Sequence, residues 1–381
     1  PLKLVRTVDL GPTLGDAPPP RVGWRSPDLV AASYVRATIP AQGSHDLTGK
    51  SAPEPAPASA PGPAAALVKA DAARDVGLYA ITGDFVAAPV LVSQQRDDSL
   101  ALDLAFLGQA GLLVWDEATS AEKGVIKGAA FAKDHAGPSR DISPPDSDAE
   151  LPRVVAIGAG FAVVWIARRP EPQASDASES EATGEPRAYG WLEMILVDER
   201  SNPTGPVRRL TQPGGHVSAF DLEVRPADAP AAGKGGEGPP TLVVVARDDG
   251  EAIDGSGGTL LRVRVKGDAF ESPVAFDTDG LGRGAPSFVS AASAFATGAG
   301  DPDRPAPFAL AWVGKDEEAR FLPLDRGGSP TARSSSEDDL KDTRSLLFLE
   351  RSAREVESLS VLVAAPSDVA AQLRVFTCGA K

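Results

Sequence analysis

The sequence contains one cysteine in 381 residues, Cys378, and that scarcity removes two kinds of architecture. No disulfide can close within the chain, and no cysteine-based metal centre can form. Stability must come from packing. A lone thiol suits a reducing cytosol and equally a secreted bacterial protein that avoids stray thiols, so this count leaves the compartment undecided. Histidine is nearly as scarce: His45, His135 and His216 are far apart and lack the close spacing of zinc ligands. Long apolar runs are missing as well. Nothing approaches the roughly 18 consecutive apolar residues of a membrane-spanning helix, so no transmembrane segment is expected. Positive charge is in deficit, with 53 Asp and Glu against 38 Lys and Arg and a formal net charge of -15. A nucleic-acid groove requires a clustered basic footprint that the sequence lacks, and the same charge disfavours adsorption to an anionic membrane, so neither partner class is expected.

What is present is a chain with 42% hydrophobic residues, 38 Gly and 35 Pro, enough apolar matter for a packed core and enough turn formers for many short elements. It opens at Pro1 without an initiator Met and without the charged, apolar, small-residue order of a signal peptide. We expect a processed secretory or lipoprotein precursor, and hence a periplasmic or cell-surface location.

The strongest internal signal is a recurring apolar strand: Gly111-Leu-Leu-Val-Trp115, Gly160-Phe-Ala-Val-Val-Trp165 and Phe308-Ala-Leu-Ala-Trp312. Leu242 to Ala246, Leu359 to Ala364 and Leu29 to Val35 share its length and its polar exit, which makes six copies. A preceding strand and turn accompany the core, as in Arg153-Val-Val-Ala-Ile-Gly158 before Phe161, Leu100 to Leu107 before Leu112, and Pro20-Arg-Val-Gly-Trp-Arg25 before Leu29. A third strand follows, such as Trp191 to Asp198, then a Gly205-Pro206 turn and a short fourth strand, Val207 to Leu210. Leu78 to Phe85, Val125 to Lys133 and Leu260 to Lys266 repeat the third strand, while Ala319 to Leu324 fits it poorly. Four-stranded units of roughly 40 to 50 residues, separated by turns, are blades of a β-propeller. The core strand is apolar at consecutive positions, so both its faces must be covered, which a blade between two neighbours provides.

The expected fold is therefore all-β, one propeller domain over residues 1–381, with six blades and seven as the alternative count. The last repeat, with strands at 359–364 and 372–377, lacks two strands, and the N-terminal segments Leu2 to Val8 and Val22 to Arg25 are predicted to supply them and close the ring. With its flanking Gly and Gly-Pro turns, the Gly160-Phe-Ala-Val-Val-Trp165 core resembles the blades of secreted bacterial β-propeller repeat proteins. That resemblance implies a propeller with an outward binding role and carries no ligand, reaction or functional residue with it.

Three Pro-, Ala- and Ser-rich stretches, at 40–66, 170–188 and 226–240, bury too little apolar surface to offset their ordering and read as insertions. The first two follow the core strand of their blades, and equivalent loops leave the same face of a ring. That face is a candidate partner surface.

The sequence carries no complete catalytic, cofactor or metal signature, so no site residue and no cofactor is assigned. Asp277-Thr-Asp279-Gly280 begins like a calcium loop but Gly282 and Arg283 stand where further ligands are needed, and Asp146, Asp148 and Glu150 fare no better. Asp254-Gly-Ser256 lacks the strand-to-helix setting of a nucleophilic serine. Gly158-Ala-Gly160 and Gly280-Leu-Gly282-Arg-Gly284 lack the features of a dinucleotide turn. The repeated Ser-x-Asp-x-Gly-x-Thr-Trp turn of sialidase-like propellers is absent. Trp115, Trp165 and Trp312 read as inter-blade core, with sugar stacking as their other use.

The reading that follows is a non-catalytic binding or scaffolding propeller holding a protein partner, a larger assembly or a glycan through face loops. The alternatives are a carbohydrate-active hydrolase or lyase whose carboxylates meet in the central pocket, and a structural subunit of a surface assembly.

Overall fold

The computed structural model describes residues 2–9, 21–25, 28–36, 74–82, 85–86, 90–95, 101–119, 123–132, 135–170, 188–225, 239–250, 258–276, 278, 281–282, 285–289, 308–315, 319–325, 327–337, 347–350, 358–363 and 372–378. All regular structure among them is β. Six antiparallel sheets of four or five strands succeed one another along the chain. Their first strands are Arg21–Arg25, Leu102–Leu107, Asp148–Ile157, Val217–Arg225, Ser287–Val289 and Leu347–Glu350. Each lies beside the first strand of the next sheet, and Leu347–Glu350 returns to Arg21–Arg25, closing a six-bladed propeller.

Within a blade the first hairpin is set by glycine. Gly108 (φ 62°) and Gly158 (φ 58°) begin two-residue turns between Leu107 and Ala110 and between Ile157 and Gly160. A positive φ at the first turn position matches the twist of the flanking strands, and only glycine adopts it without strain. The second strand then runs through the blade centre with residues buried on both faces. In the third blade, Val163 and Trp165 pack against Leu112, Val114 and Ile126 of the blade before, while Ala162, Val164 and Ile166 pack against Phe220, Leu222 and Val244 of the blade after. Trp115, Trp165 and Trp312 are almost wholly excluded from water and occupy such seams, so they are core. Stacked apolar faces are the main source of cohesion in a fold without a disulfide.

Polar fasteners cross the same seams. Arg168 of the third blade pairs with Glu150 and donates to the Val217 carbonyl at 3.1 Å. Arg208 donates to the Gly267 carbonyl at 3.0 Å and pairs with Asp268 of the fourth blade. Arg262 reaches Ser329 Oγ in the fifth blade at 2.7 Å. Arginine suits this use because its planar fork satisfies several acceptors while its stem lies on apolar surface.

Ring closure differs from the expectation in one respect. Leu2–Asp9 pairs with Gln372–Cys378, from Leu2 opposite Cys378 to Asp9 opposite Gln372, and is the outer strand of the sixth blade. Val22 to Arg25, however, belongs to the first strand of the first blade. Only one strand needed replacing, because Leu347–Glu350 supplies the innermost one. Ala319–Leu324, the poorly fitting segment, is an ordinary third strand paired with Phe308–Val313. The predicted insertions fall outside the described residues apart from their ends at Pro170, Ala188, Pro239 and Pro240.

Candidate functional site

The inner strands line the propeller axis, and their hairpin register places one residue of each at an equivalent level. Arg21, Asp103, Arg153 and Asp221 each lie four residues before the last paired residue of the strand, Arg25, Leu107, Ile157 and Arg225 respectively. Their partners Ala32, Val114, Val164 and Val245 are correspondingly equivalent. In the fifth blade the position is Ser287, whose partner Ala311 precedes Trp312 as Val114 precedes Trp115. Four consecutive blades thus present cation, anion, cation and anion around the axis.

Both carboxylates are held in the same way. An inner strand has a free edge whose amides need acceptors. Asp103 Oδ2 accepts the Val154 N–H of the third blade at 2.9 Å, and Asp221 Oδ2 accepts the Phe288 N–H of the fifth blade at 2.7 Å. Val154 and Phe288 each follow the ring position of their own strand, so one device is used two blades apart. It fixes both carboxylates at the inner edge of the ring.

The charges sense one another. Asp221 is partly open to water yet crowded by protein, and burial raises its carboxyl above the ordinary range despite opposition from Arg21, the Phe288 amide and Arg153. Arg153 is 9% exposed, and burial, reinforced by Arg21, lowers its guanidinium to about 10 against the opposing pull of Asp103, Asp221 and Asp116. Its Nη1 donates to the Pro152 carbonyl at 2.9 Å, its Cζ lies 5.9 Å from the centre of the Phe220 ring, and its Nε has no partner.

The strand carrying Arg153 is irregular just ahead of it. Pairing with the second strand shifts between Glu150 and Arg153, and Leu151 has φ 54°, a conformation that side chains other than glycine rarely adopt. Asp116 clamps this bulge, its Oδ2 accepting the Leu151 N–H at 2.9 Å and its Oδ1 the Ala101 N–H at 3.0 Å. Beside it, burial raises the Glu150 carboxyl, with Arg168 opposing and Asp116 and Asp148 reinforcing.

The residues singled out in the sequence lie elsewhere. His135 is an exposed strand end, and His216 borders a polar recess between the third and fourth blades with Thr211, Gln212 and Asp248. Asp148 caps the Gly124 amide at 2.8 Å. Gly158 and Gly160 shape a hairpin, and Cys378 ends a strand. His45, Asp254, Ser256, Asp277 and Asp279 are outside the described residues. The ring itself was missed, although three of its members stood in the segments used to define the repeat. Aligning those segments on their hairpins exposes a charge at one position of an otherwise apolar strand.

No protein-family model and no curated protein matches the sequence. Solved structures do. The α-L-arabinofuranosidase of Fusarium graminearum, a point mutant in complex with an iminosugar inhibitor, superposes with a TM-score of 0.54 at 10% identity, over 97% of each chain. The haemagglutinin-neuraminidase ectodomain of parainfluenza virus 5 gives 0.48 at 9% identity, over 99% of this chain and 87% of the other. Trypanosoma rangeli sialidase in complex with sialic acid gives 0.48 at 8% identity, and this chain spans 98% of itself but 59% of that protein. The first of these supports the propeller fold. The expectation of a non-catalytic binding or scaffolding propeller is corrected here in favour of the hydrolase alternative, because a solved propeller with which the chain superposes at a TM-score above 0.5 is an α-L-arabinofuranosidase. An axis furnished with two fixed carboxylates agrees with the hydrolase alternative.

Proposed function

We propose that the chain is a carbohydrate-active hydrolase whose reacting groups are the carboxylates of the axial ring. Glycoside cleavage needs one carboxyl group to protonate the departing oxygen and a second carboxylate to activate water or to attack the sugar. Asp221 suits the acid because burial favours its protonated form, and Asp103, at the equivalent position two blades earlier, suits the second role. The observation that carries this reading is that equivalence: two carboxylates, each braced by an amide of the next blade, occupy one level of the inner strands. Glycosidases among the solved structures of similar fold supply the substrate class to test first. An extracytoplasmic location, where extended glycans are met, belongs to the same proposal and is checked by fractionating the source cells.

The test is release of nitrophenol from aryl α-L-arabinofuranoside, hexosides and uronides by the purified chain, Asp221→Asn and Asp103→Asn. Each substitution is expected to lower kcat by about a hundredfold or more. Activity should fall as pH rises through the elevated Asp221 pKa, and this limb should disappear in Asp221→Asn. Stability carries the same sign. A carboxyl raised on folding contributes stability in full below its unfolded pKa, and that contribution is lost as pH rises through the folded one. No cleavage of any glycoside by the parent chain, or full activity in both variants, would overturn the proposal.

A further inference from the structure

We propose that Arg153 and Arg21 form an anion subsite in the axial ring, so that the glycan taken there carries a carboxylate or sulfate group; this rests on reading the ring as a glycan site. Arg153 is the most secluded charge of the ring, with an unpartnered Nε and an Nη1 that reaches only the neighbouring Pro152 carbonyl. A guanidinium removed from water with donors unused is costly to the folded state. The ring's own anions offset this cost through space and supply no direct partner. Asp103 and Asp221 hydrogen-bond the Val154 and Phe288 amides, and no ion pair links either to Arg153 or Arg21 among the described residues. A second cation, Arg21, occupies the equivalent position two blades away and is felt at Arg153 as repulsion.

The backbone supplies an independent observation. Leu151 is held at φ 54° by the Asp116 carboxylate, within a register shift that ends at Arg153. Bulges re-aim side chains next to functional sites, and strained backbone persists where the surrounding structure over-determines it. Here the strain is applied immediately before a ring guanidinium whose Nε is buried without a partner. With Asp221 protonated as general acid, the four ring residues carry two positive charges and one negative, an imbalance of the sign and size that a single anionic group neutralises.

Three trisaccharides distinguish the outcomes in calorimetric titrations of the full chain: galacturonate, its methyl ester, and galactose 6-sulfate. The acidic sugars should bind at least tenfold more tightly than the ester, and the preference should vanish in Arg153→Gln and in the more exposed Arg21→Gln, which perturbs folding least. Tighter binding of the galacturonate identifies the carboxylate as the source, and of the sulfated sugar the sulfate. Inorganic sulfate should compete with either acid without affecting the residual binding of the ester. Ester binding equal to that of both acids overturns the anion subsite while leaving the glycan site standing. Loss of preference in neither arginine variant places the anion elsewhere and also overturns it. A chain that binds none of the three and cleaves no glycoside removes the underlying reading as well.

Discussion

The indole of Trp165 allows a quantitative test of how the blades are held together. It is fully buried between the second and third blades, and its Nε1 has no hydrogen-bond partner. Trp191 lies in the same cluster, but its Nε1 donates to Glu193 Oε1 at 2.9 Å. Truncating Trp165 to Ala removes about 150–250 Å² of buried apolar surface, or about 4–6 kcal/mol at the usual coefficient. Removing the unsatisfied N–H restores about 1–3 kcal/mol, so Trp165→Ala should cost about 3 kcal/mol. Trp165→Phe should behave differently. It gives up about 40 Å², or about 1 kcal/mol, and removes the same unsatisfied donor, so it should be neutral or stabilising. Trp191→Phe loses similar area together with a satisfied bond to a carboxylate, and should cost about 2 kcal/mol. Urea unfolding followed by far-ultraviolet circular dichroism separates these cases. A Trp165→Phe variant destabilised as much as Trp191→Phe would show that the indole N–H has a partner and refute the reasoning.

Two further predictions concern packing and closure. A Cβ added at Gly160 would stand 2.3 Å from the Val197 carbonyl oxygen, a backbone atom that cannot step aside, so Gly160→Ala should cost about 1–3 kcal/mol in the same assay, whereas Gly205→Ala, which meets nothing within 4 Å, should be silent. Deleting Leu2–Asp9 exposes the edge of Gln372–Cys378, so the shortened chain should melt earlier and associate with rising concentration in sedimentation; an unchanged monomer would count against closure by that strand.

Legibility in the sequence followed the physical range of each interaction. Burial on both faces is written into consecutive residues such as Ala162 to Ile166, because side-chain transfer from water depends on residue type, and six such runs separated by turns suffice to imply a ring of blades. The innermost strand of the last blade, Leu347–Glu350, was missed because it is short and lies among charged residues. The axial ring was hidden for another reason. Arg21, Asp103, Arg153 and Asp221 are four charges among 91 Asp, Glu, Lys and Arg, and they stand out only once the first hairpins of the blades are aligned with one another. Hairpin register brings them to one level, and ring closure makes distant blades face a common axis. Desolvation then shifts Asp221 and Arg153 in opposite senses. The sequence by itself determined the propeller, because apolar periodicity is local; only the tertiary structure decided which charges meet, because convergence on an axis depends on how the whole ring closes.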